Sequence, residues 1–267
     1  MTVSPVTRAN LPLAALSGLG IGVLGGMIGL GGAEFRLPLL IGVFGFVALQ
    51  AVILNKAMSL IVVATALPAR LLSVPFDQMA PYWWIVLNLL AGSLLGAWVG
   101  AAWATRMRSG TLYRVLAVLL VVIAAALAVT HLTDVAGLAL APVPRALAGL
   151  AAGVGVGIVA ALMGVAGGEL LIPTIVLLYA VDIKIAGSLS LAVSLPTMIV
   201  AFARYSRDNA FQVLSQNTTF IAVMAAGSIL GTVIGGLLLG VVPTLVLVPL
   251  LVLILLLSAR KVWGHSQ

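Results

Sequence analysis

Four charged side chains lie inside or beside long apolar stretches of this chain: Glu34, Arg36, Lys56 and Glu169. A charge at the centre of a bilayer costs about 2.5 to 3.5 kcal/mol, so four of them facing lipid would cost roughly 10 kcal/mol or more. They must therefore face the interior of a helix bundle, an opposite charge or water. In such a place a basic group can hold an anion, and a buried carboxyl can carry a proton. The alternative is that Glu34 and Arg36 lie in a surface loop while Lys56 reaches the surface from a helix end.

The sequence around the two acids is repeated. The chain reads GLGGAEFRLP around Glu34 and GVAGGELLIP around Glu169. Aligning these two stretches places residue 34 of the first copy on residue 169 of the second. The same shift carries GSLLGAWVG, which begins at Gly92, onto GSILGTVIG, which begins at Gly227. This constant register indicates an internal duplication. A doubled glycine break with an acid and a proline is typical of a transporter whose site lies between its repeats.

The glycine breaks predict two half-helices. The apolar segment after each break is roughly 12 residues long, whereas about 20 are needed to cross a bilayer. Adjacent small residues with a proline close behind favour unwound backbone. A half-helix that begins there points its free N–H groups and its positive dipole end at the membrane midplane, which outlines an anion site. The predicted helix-break residues are Gly31, Gly32, Ala33, Pro38, Gly167, Gly168 and Pro173.

A later apolar segment in each copy carries polar side chains. Hydroxyl groups in helices often bond to their own backbone, but beside Lys56 they indicate the lining of a substrate path. The predicted substrate-binding residues are Glu34, Arg36, Asn55, Lys56, Ser59, Glu169, Ser188, Ser190 and Ser194.

We expect Lys56, helped by Arg36 and the two half-helix N-termini, to hold the anion. The two acids are expected to differ, because Glu34 has Arg36 two positions away whereas Glu169 has no basic residue before Lys184. Glu169 is therefore predicted to be the better proton carrier, and Glu34 to balance the basic residues. The sequence leaves open whether the two acids meet.

The composition is that of an integral membrane protein. Of 267 residues, 63% are hydrophobic and 7% are charged, and the mean hydropathy is +1.30; a soluble protein is about a quarter charged. The apolar runs do not alternate with polar residues as barrel strands do. The predicted fold is an all-α polytopic bundle of two inverted repeats, with about 8 full transmembrane helices and two short or re-entrant half-helices. The chain has no cysteine, which excludes thiol chemistry.

Proline, glycine and charged residues divide each copy into five apolar segments. In the first copy the segments span residues 12–31, 37–49, 51–72, 82–104 and 112–131, and in the second copy 146–163, 170–181, 186–203, 217–239 and 242–259. The predicted organisation is a cytoplasmic N-terminus (1–11), a first repeat (12–131), an external linker (132–145), a second repeat (146–259) and a cytoplasmic tail (260–267).

The basic residues between the segments predict the orientation. If the N-terminus with Arg8 is cytoplasmic, the same side receives Arg106, Arg108, Arg204, Arg207, Arg260 and Lys261. This arrangement obeys the positive-inside rule and places both termini in the cytoplasm. Because each copy has an odd number of segments, the second copy is turned over in the membrane, and the repeat is predicted to be inverted. The net charge of +7 is explained in this way and does not indicate binding to nucleic acid.

Glycines at every fourth position recur in three apolar segments. This spacing lets helices approach closely, so we predict that these glycines serve helix packing. They are Gly18, Gly22, Gly26, Gly92, Gly96, Gly100, Gly227, Gly231 and Gly235.

Together these motifs resemble the TauE/SafE sulfite-exporter family of membrane permeases. The resemblance is carried by the two glycine breaks, by AGSLSLAVSLPT from Ala186 and by the GSxxG helices, and it covers residues 11–257. It implies a bacterial inner-membrane carrier that moves sulfite, sulfonates such as sulfoacetate or related sulfur anions, usually outward. The chain departs from the family pattern in three ways: Ala33 replaces the usual third glycine, the two acids replace apolar residues, and Asn55 with Lys56 replaces a pair of small hydroxyl residues. The acids favour a proton-linked path.

The predicted function is a secondary transporter, an exporter of a small sulfur-containing anion, with protons as a further partner and the bilayer as its surroundings. No cofactor, metal or nucleic acid is expected, and a homo-oligomer is left open. A cation or metal carrier that uses Glu34 and Glu169 is one alternative, and a membrane subunit without transport activity is another. An enzyme is not expected, because neither GxSxG nor HExxH occurs in the sequence.

Overall fold

The computed structural model describes residues 11–27, 32–73, 76–132, 140–238 and 244–266. In these ranges the apolar segments form ten helices of ten residues or more, and no strand occurs. The first copy contains α1 (Leu11–Met27), α2 (Ala33–Gly42), α3 (Ala48–Ser73), α4 (Trp83–Arg106) and α5 (Ser109–Leu132). The second copy contains α6 (Pro142–Met163), α7 (Gly168–Tyr179), α8 (Ile183–Tyr205), α9 (Thr218–Leu237) and α10 (Thr244–Gly264).

Seven helices in the described ranges are long and apolar enough to cross a membrane. Helix α1 is apolar over 17 residues, whereas α2 and α7 have only 10 and 12 residues. The predicted fold class, a polytopic helical membrane bundle with two short helices, is therefore confirmed. Short helical turns also precede α4 and α9 at corresponding places in the two copies, at Phe76–Met79 and Val213–Gln216.

The two short helices begin earlier than the sequence segments predicted. Helix α2 begins at Ala33 rather than at 37, and α7 begins at Gly168 rather than at 170. The reason is that the turn is completed by the preceding glycines, Gly32 at φ 66° and Gly167 at φ 85°, so the next residue is already helical. Each acid therefore lies in the first turn of a helix and not in the unwound break.

The bundle buries three charged side chains of its apolar segments and exposes many large apolar side chains. Glu34, Arg36 and Lys56 are buried, with 1%, 0% and 0% of their surfaces exposed. Large apolar side chains point outward instead, among them Leu87, Leu95, Leu147, Leu230 and Leu237. Such an inverted distribution is expected when the solvent is lipid. Both alternatives considered from the sequence, a surface loop at Glu34 and Arg36 and a Lys56 that reaches the surface, are wrong.

The duplication recurs in the helix packing, and the two copies are interlocked. Helix α1 packs on α9, and its counterpart α6 packs on α4. Likewise α3 packs on α9 while α8 packs on α4, and α2 packs on α10 while α7 packs on α5. The corresponding helices α3 and α8 also pack on each other, as do α5 and α10. Each repeat therefore completes its core with helices of the other.

The glycine-rich helices form the closest of these contacts. A Cβ added at Gly96 would collide with the backbone carbonyl of Val154 on α6, and one at Gly231 would collide with that of Leu19 on α1. The other glycines of the predicted set also lie against neighbouring backbone. Gly155, in contrast, has no atom within 4 Å of that position. The prediction that these glycines serve helix packing is confirmed.

Candidate functional site

The charged residues converge where α2 and α7 begin. The glycines before both helices adopt left-handed backbone, and no side chain caps either helix. The N–H groups of Phe35 and Arg36 bond to the carbonyl of Gly32, and those of Leu170 and Leu171 bond to that of Gly167. The acids occupy the second helical positions, where the positive end of the helix dipole favours a negative charge. Ala33 has helical backbone, so this position does not require a glycine.

The two acids meet, which the sequence left open. Nδ2 of Asn55 donates to the carbonyls of both Ala33 and Met163, which brings the starts of α2 and α7 together, and the carboxyl groups of Glu34 and Glu169 interact electrostatically there. Glu34 is buried, whereas Glu169 is only half-buried. Neither oxygen of Glu34, nor Oε2 of Glu169, receives a hydrogen bond from the described residues. A hydrogen bond between the two carboxyl groups needs a proton on one of them, because two carboxylates offer only acceptors.

Arg36 extends from α2 toward two other helices. Its Nη1 donates to Oδ1 of Asn55 and Oγ of Ser59 on α3, and its Nη2 donates to Oγ of Ser228 on α9, each at 3.3 Å. These bonds are long for N–H to oxygen contacts. The Nε of Arg36 has no acceptor among the described residues.

Ser228 was missed by the sequence analysis. A signal for it exists, because the shift between the copies carries Ser93 of GSLLG onto Ser228 of GSILG. Ser93 also makes a buried polar contact, although with a different partner: its Oγ lies 2.7 Å from Oγ1 of Thr197 on α8. A hydroxyl repeated inside a glycine-rich packing helix therefore indicates a buried polar contact.

Lys56 and Asn55 cap the end of a helix from the other copy. Nζ of Lys56 donates to the carbonyls of Ala160 and Val165, both at 2.7 Å. Nδ2 of Asn55 donates to the carbonyl of Met163, the last residue of α6, and to that of Ala33, both at 3.0 Å. Met163 ends α6 and Val165 lies beyond it, so their carbonyls have no N–H partner within the helix and are satisfied by these side chains, whereas the carbonyl of Ala160 also accepts from the N–H of Val165. Lys56 also interacts electrostatically with Glu169.

The predicted serines of the second copy do not join this network. Oγ of Ser188 donates to the carbonyl of Lys184 at 3.3 Å, and Oγ of Ser190 donates to that of Gly187 at 2.8 Å, both within α8. Ser194 is buried, and its Oγ has no partner among the described residues. The positions that match Arg36 and Lys56 in the second copy are leucines. The polar cluster is therefore one-sided, although the backbone around it is symmetric.

The two prolines lie inside the short helices rather than in unwound backbone. A proline has no N–H group, so the carbonyl four residues before it receives no helical hydrogen bond. Pro38 has this effect on the carbonyl of Glu34, and Pro173 has it on the carbonyl of Glu169. Both acidic residues therefore offer a backbone carbonyl as well as a carboxyl group. Gly31, the remaining predicted break residue, lies outside the described residues.

Buried charges between two short broken helices, in a bundle of repeated apolar helices, define a multi-pass membrane transporter. Residues 14–262 match the family model described as Sulfite exporter TauE/SafE. The chain belongs to the TauE/SafE sulfite exporter family, and the resemblance seen in its motifs is confirmed. No curated protein and no solved structure matches the chain.

Proposed function

We propose that this protein is a secondary carrier of a small sulfur-containing oxyanion, sulfite or an organosulfonate, in the bacterial inner membrane with both termini in the cytoplasm. The family supports the class of substrate. The observation that carries the proposal is Arg36, a fully buried guanidinium beside the start of α2 with an unused Nε and three long hydrogen bonds to neutral acceptors.

An oxyanion suits this guanidinium better than its present partners do. Arginine presents a planar fork of donors that matches two oxygens of one anion, and hydrogen bonds to a charged acceptor are shorter and about twice as strong as those to a neutral one. The long bonds to Asn55, Ser59 and Ser228 hold the guanidinium of Arg36 in position, and an oxyanion can replace them. Sulfite and sulfonate groups both offer the required pair of oxygens.

Arg36 is a better anion ligand than Lys56, which the sequence analysis placed first. Two of the three N–H groups of Lys56 are engaged by carbonyls at 2.7 Å. An anion that took this ammonium would leave the carbonyl of Val165 without this donor, at about 1 to 3 kcal/mol, and would remove one of the donors to the carbonyl of Ala160. Lys56 contributes its positive charge to the site and holds the end of α6 in place.

The two acids supply the proton linkage. They lie at the positive ends of α2 and α7, next to Arg36 and Lys56, so protonating either acid leaves the surrounding cations free to attract an anion. With the acids ionised, the two cations are balanced and anion binding is weak. The path is therefore proton-linked.

A carrier of metal cations is the second candidate, and the charges of the site oppose it. Its ligands would be the two carboxyls and the two backbone carbonyls freed by the prolines. A cation there would be repelled by Arg36 and Lys56. Within the described residues, no group of three or more histidine, cysteine, aspartate or glutamate side chains is close enough to hold a metal ion.

Flux measurements in proteoliposomes test the proposal. Radiolabelled sulfite, sulfoacetate and a divalent cation are each supplied at equal concentration to vesicles with and without the protein. We expect protein-dependent flux of at least one of the two sulfur anions and none of the cation. Cation flux without anion flux would establish the second candidate instead, and no flux of any of the three would contradict a carrier of this class.

A further inference from the structure

We infer that Glu34 and Glu169 act as one proton-binding unit that holds a single shared proton, and that this proton is bound together with a singly charged anion. The inference rests on the proposed function and specifies how its proton linkage works. It replaces the separate roles that the sequence suggested for the two acids.

The geometry of the pair is the first argument. Asn55 Nδ2 bridges the carbonyls of Ala33 and Met163, so the two acids lie at the adjacent starts of α2 and α7 and interact, and the buried Glu34 has no donor among the described residues for either of its oxygens. Two adjacent carboxylates repel each other strongly, so such pairs hold one proton between them and titrate as a unit. One proton would convert the two orphaned acceptors into a donor and an acceptor.

The charges around the pair are the second argument. Arg36 on α2 acts on Glu34, and Lys56 on α3 acts on Glu169, so each acid has a basic neighbour. In sequence Glu169 lacked such a neighbour, which was the reason for giving it a separate role. Helices α1 and α9 bring no ionisable side chain in their described residues, and α10 brings Lys261 only to Gly42, at the far end of α2.

The sum of these charges sets how many protons bind with each anion. Two cations and two carboxylates cancel, whereas two cations and a pair that shares one proton leave a single positive charge. A monovalent anion neutralises that charge, so the proton and the anion favour each other's binding. Net movement then follows the combined gradients of anion and proton. Glu169, the partly exposed member, gives the proton its access to Glu34.

The first test needs no substrate. Infrared spectroscopy of the purified protein in lipid reads the carbonyl stretch of a protonated carboxyl group. We expect one such band at neutral pH in the wild type, its loss in both Glu34→Gln and Glu169→Gln, and its retention in Asp77→Asn, which alters an exposed acid on a short turn. A band that survives in either glutamine variant would overturn the shared proton. If Glu34→Gln fails to insert, Glu169→Gln alone decides, because the buried Glu34 is still present in it.

The second test measures anion binding against pH. Methanesulfonate is suitable because it stays singly charged where sulfite titrates. In the wild type its affinity should rise about tenfold per unit of falling pH at the steepest point, as one linked proton requires. Both glutamine variants should lose this dependence equally. A hundredfold slope, or a slope kept by one variant, would overturn the inference. An absence of binding by any sulfur anion would contradict the proposed function, while the infrared result would still decide the pair.

Discussion

Lys56 shows how a buried charge can be located from sequence and its role still be misassigned. Its position in an apolar segment indicated that it faces the interior, because a lysine is expensive to bury without partners. Its partners could not be read in the same way. They are the backbone carbonyls of Ala160 and Val165. Because every residue has a carbonyl, the residue types give no sign of which ones Lys56 contacts. Only the packing of α3 against the end of α6 selects those two.

Replacing Lys56 tests its role as a cap. Lys56→Met keeps the apolar stem and removes the ammonium, which leaves the carbonyl of Val165 and the charge of Glu169 without that partner and removes one donor to the carbonyl of Ala160. We expect a loss of about 3 to 5 kcal/mol in stability, together with the loss of transport. Thermal unfolding in detergent measures the first effect.

A second substitution provides the control for that experiment. Adding Glu169→Gln to Lys56→Met removes the unpaired carboxylate and should recover part of the lost stability, since the two residues are coupled. If Lys56→Met melts like the wild type, Lys56 is not a cap and is available as an anion ligand.

The elements of the fold were largely predictable, because each is set by local composition. Glycine and proline at the segment ends determine where the helices stop, and glycine spacing determines which faces pack. The start of α2 was misplaced because Pro38 was taken to mark unwound backbone. A proline at the sixth helical position removes one hydrogen bond and can be accommodated without ending the helix.

Matched glycine substitutions test the packing of α4 on α6. Gly96→Ala places a methyl group against the backbone of Val154, whereas Gly155→Ala on α6 places one in open space. We expect Gly96→Ala to lower the melting temperature clearly. Gly155→Ala should be neutral or stabilise by about 0.5 to 1 kcal/mol, because alanine is the better helix former.

The duplication allows the same comparison in the other half of the molecule. Gly231 and Gly20 are the counterparts of Gly96 and Gly155, and a Cβ there meets backbone and open space respectively. Gly231→Ala and Gly20→Ala should repeat the contrast. Equal stability of the two members in both pairs would contradict close backbone packing as the function of these glycines.

At the scale of the whole molecule, the repeat determines the framework and the differences between its copies determine the site. The backbone contacts recur in both halves, yet Arg36 and Lys56 have leucine counterparts. The duplication could be read in the sequence because it preserves register. Contacts across the copies, such as that between Arg36 and Ser228, could not, because they depend on how the two halves interlock.

The orientation remains a prediction from the basic residues. The guanidinium carbons of Arg204 and Arg207 lie 5.8 and 5.3 Å from the ring centre of Trp98, which is 41% exposed. Arginine with an exposed tryptophan is typical of a membrane interface. Reporter fusions should place Arg8 and Lys261 in the cytoplasm and Asp134 outside; Arg8 and Asp134 lie outside the described residues. Termini on opposite sides would contradict the inverted five-plus-five arrangement.

The central claim is that Arg36 binds a sulfur oxyanion inside the bundle, and exchange across proteoliposomes tests it most directly. Vesicles loaded with unlabelled sulfite or sulfoacetate take up the labelled anion in exchange, so the measurement depends on binding and not on a proton gradient. Arg36→Leu introduces the residue found at the matching position of the other copy, Leu171. Arg108→Leu, at an exposed helix end, is the control. We predict exchange by the wild type and by Arg108→Leu, and a loss of at least about tenfold in Arg36→Leu, as expected when a charged hydrogen-bonding group is removed. Exchange by Arg36→Leu at the wild-type rate would contradict the account.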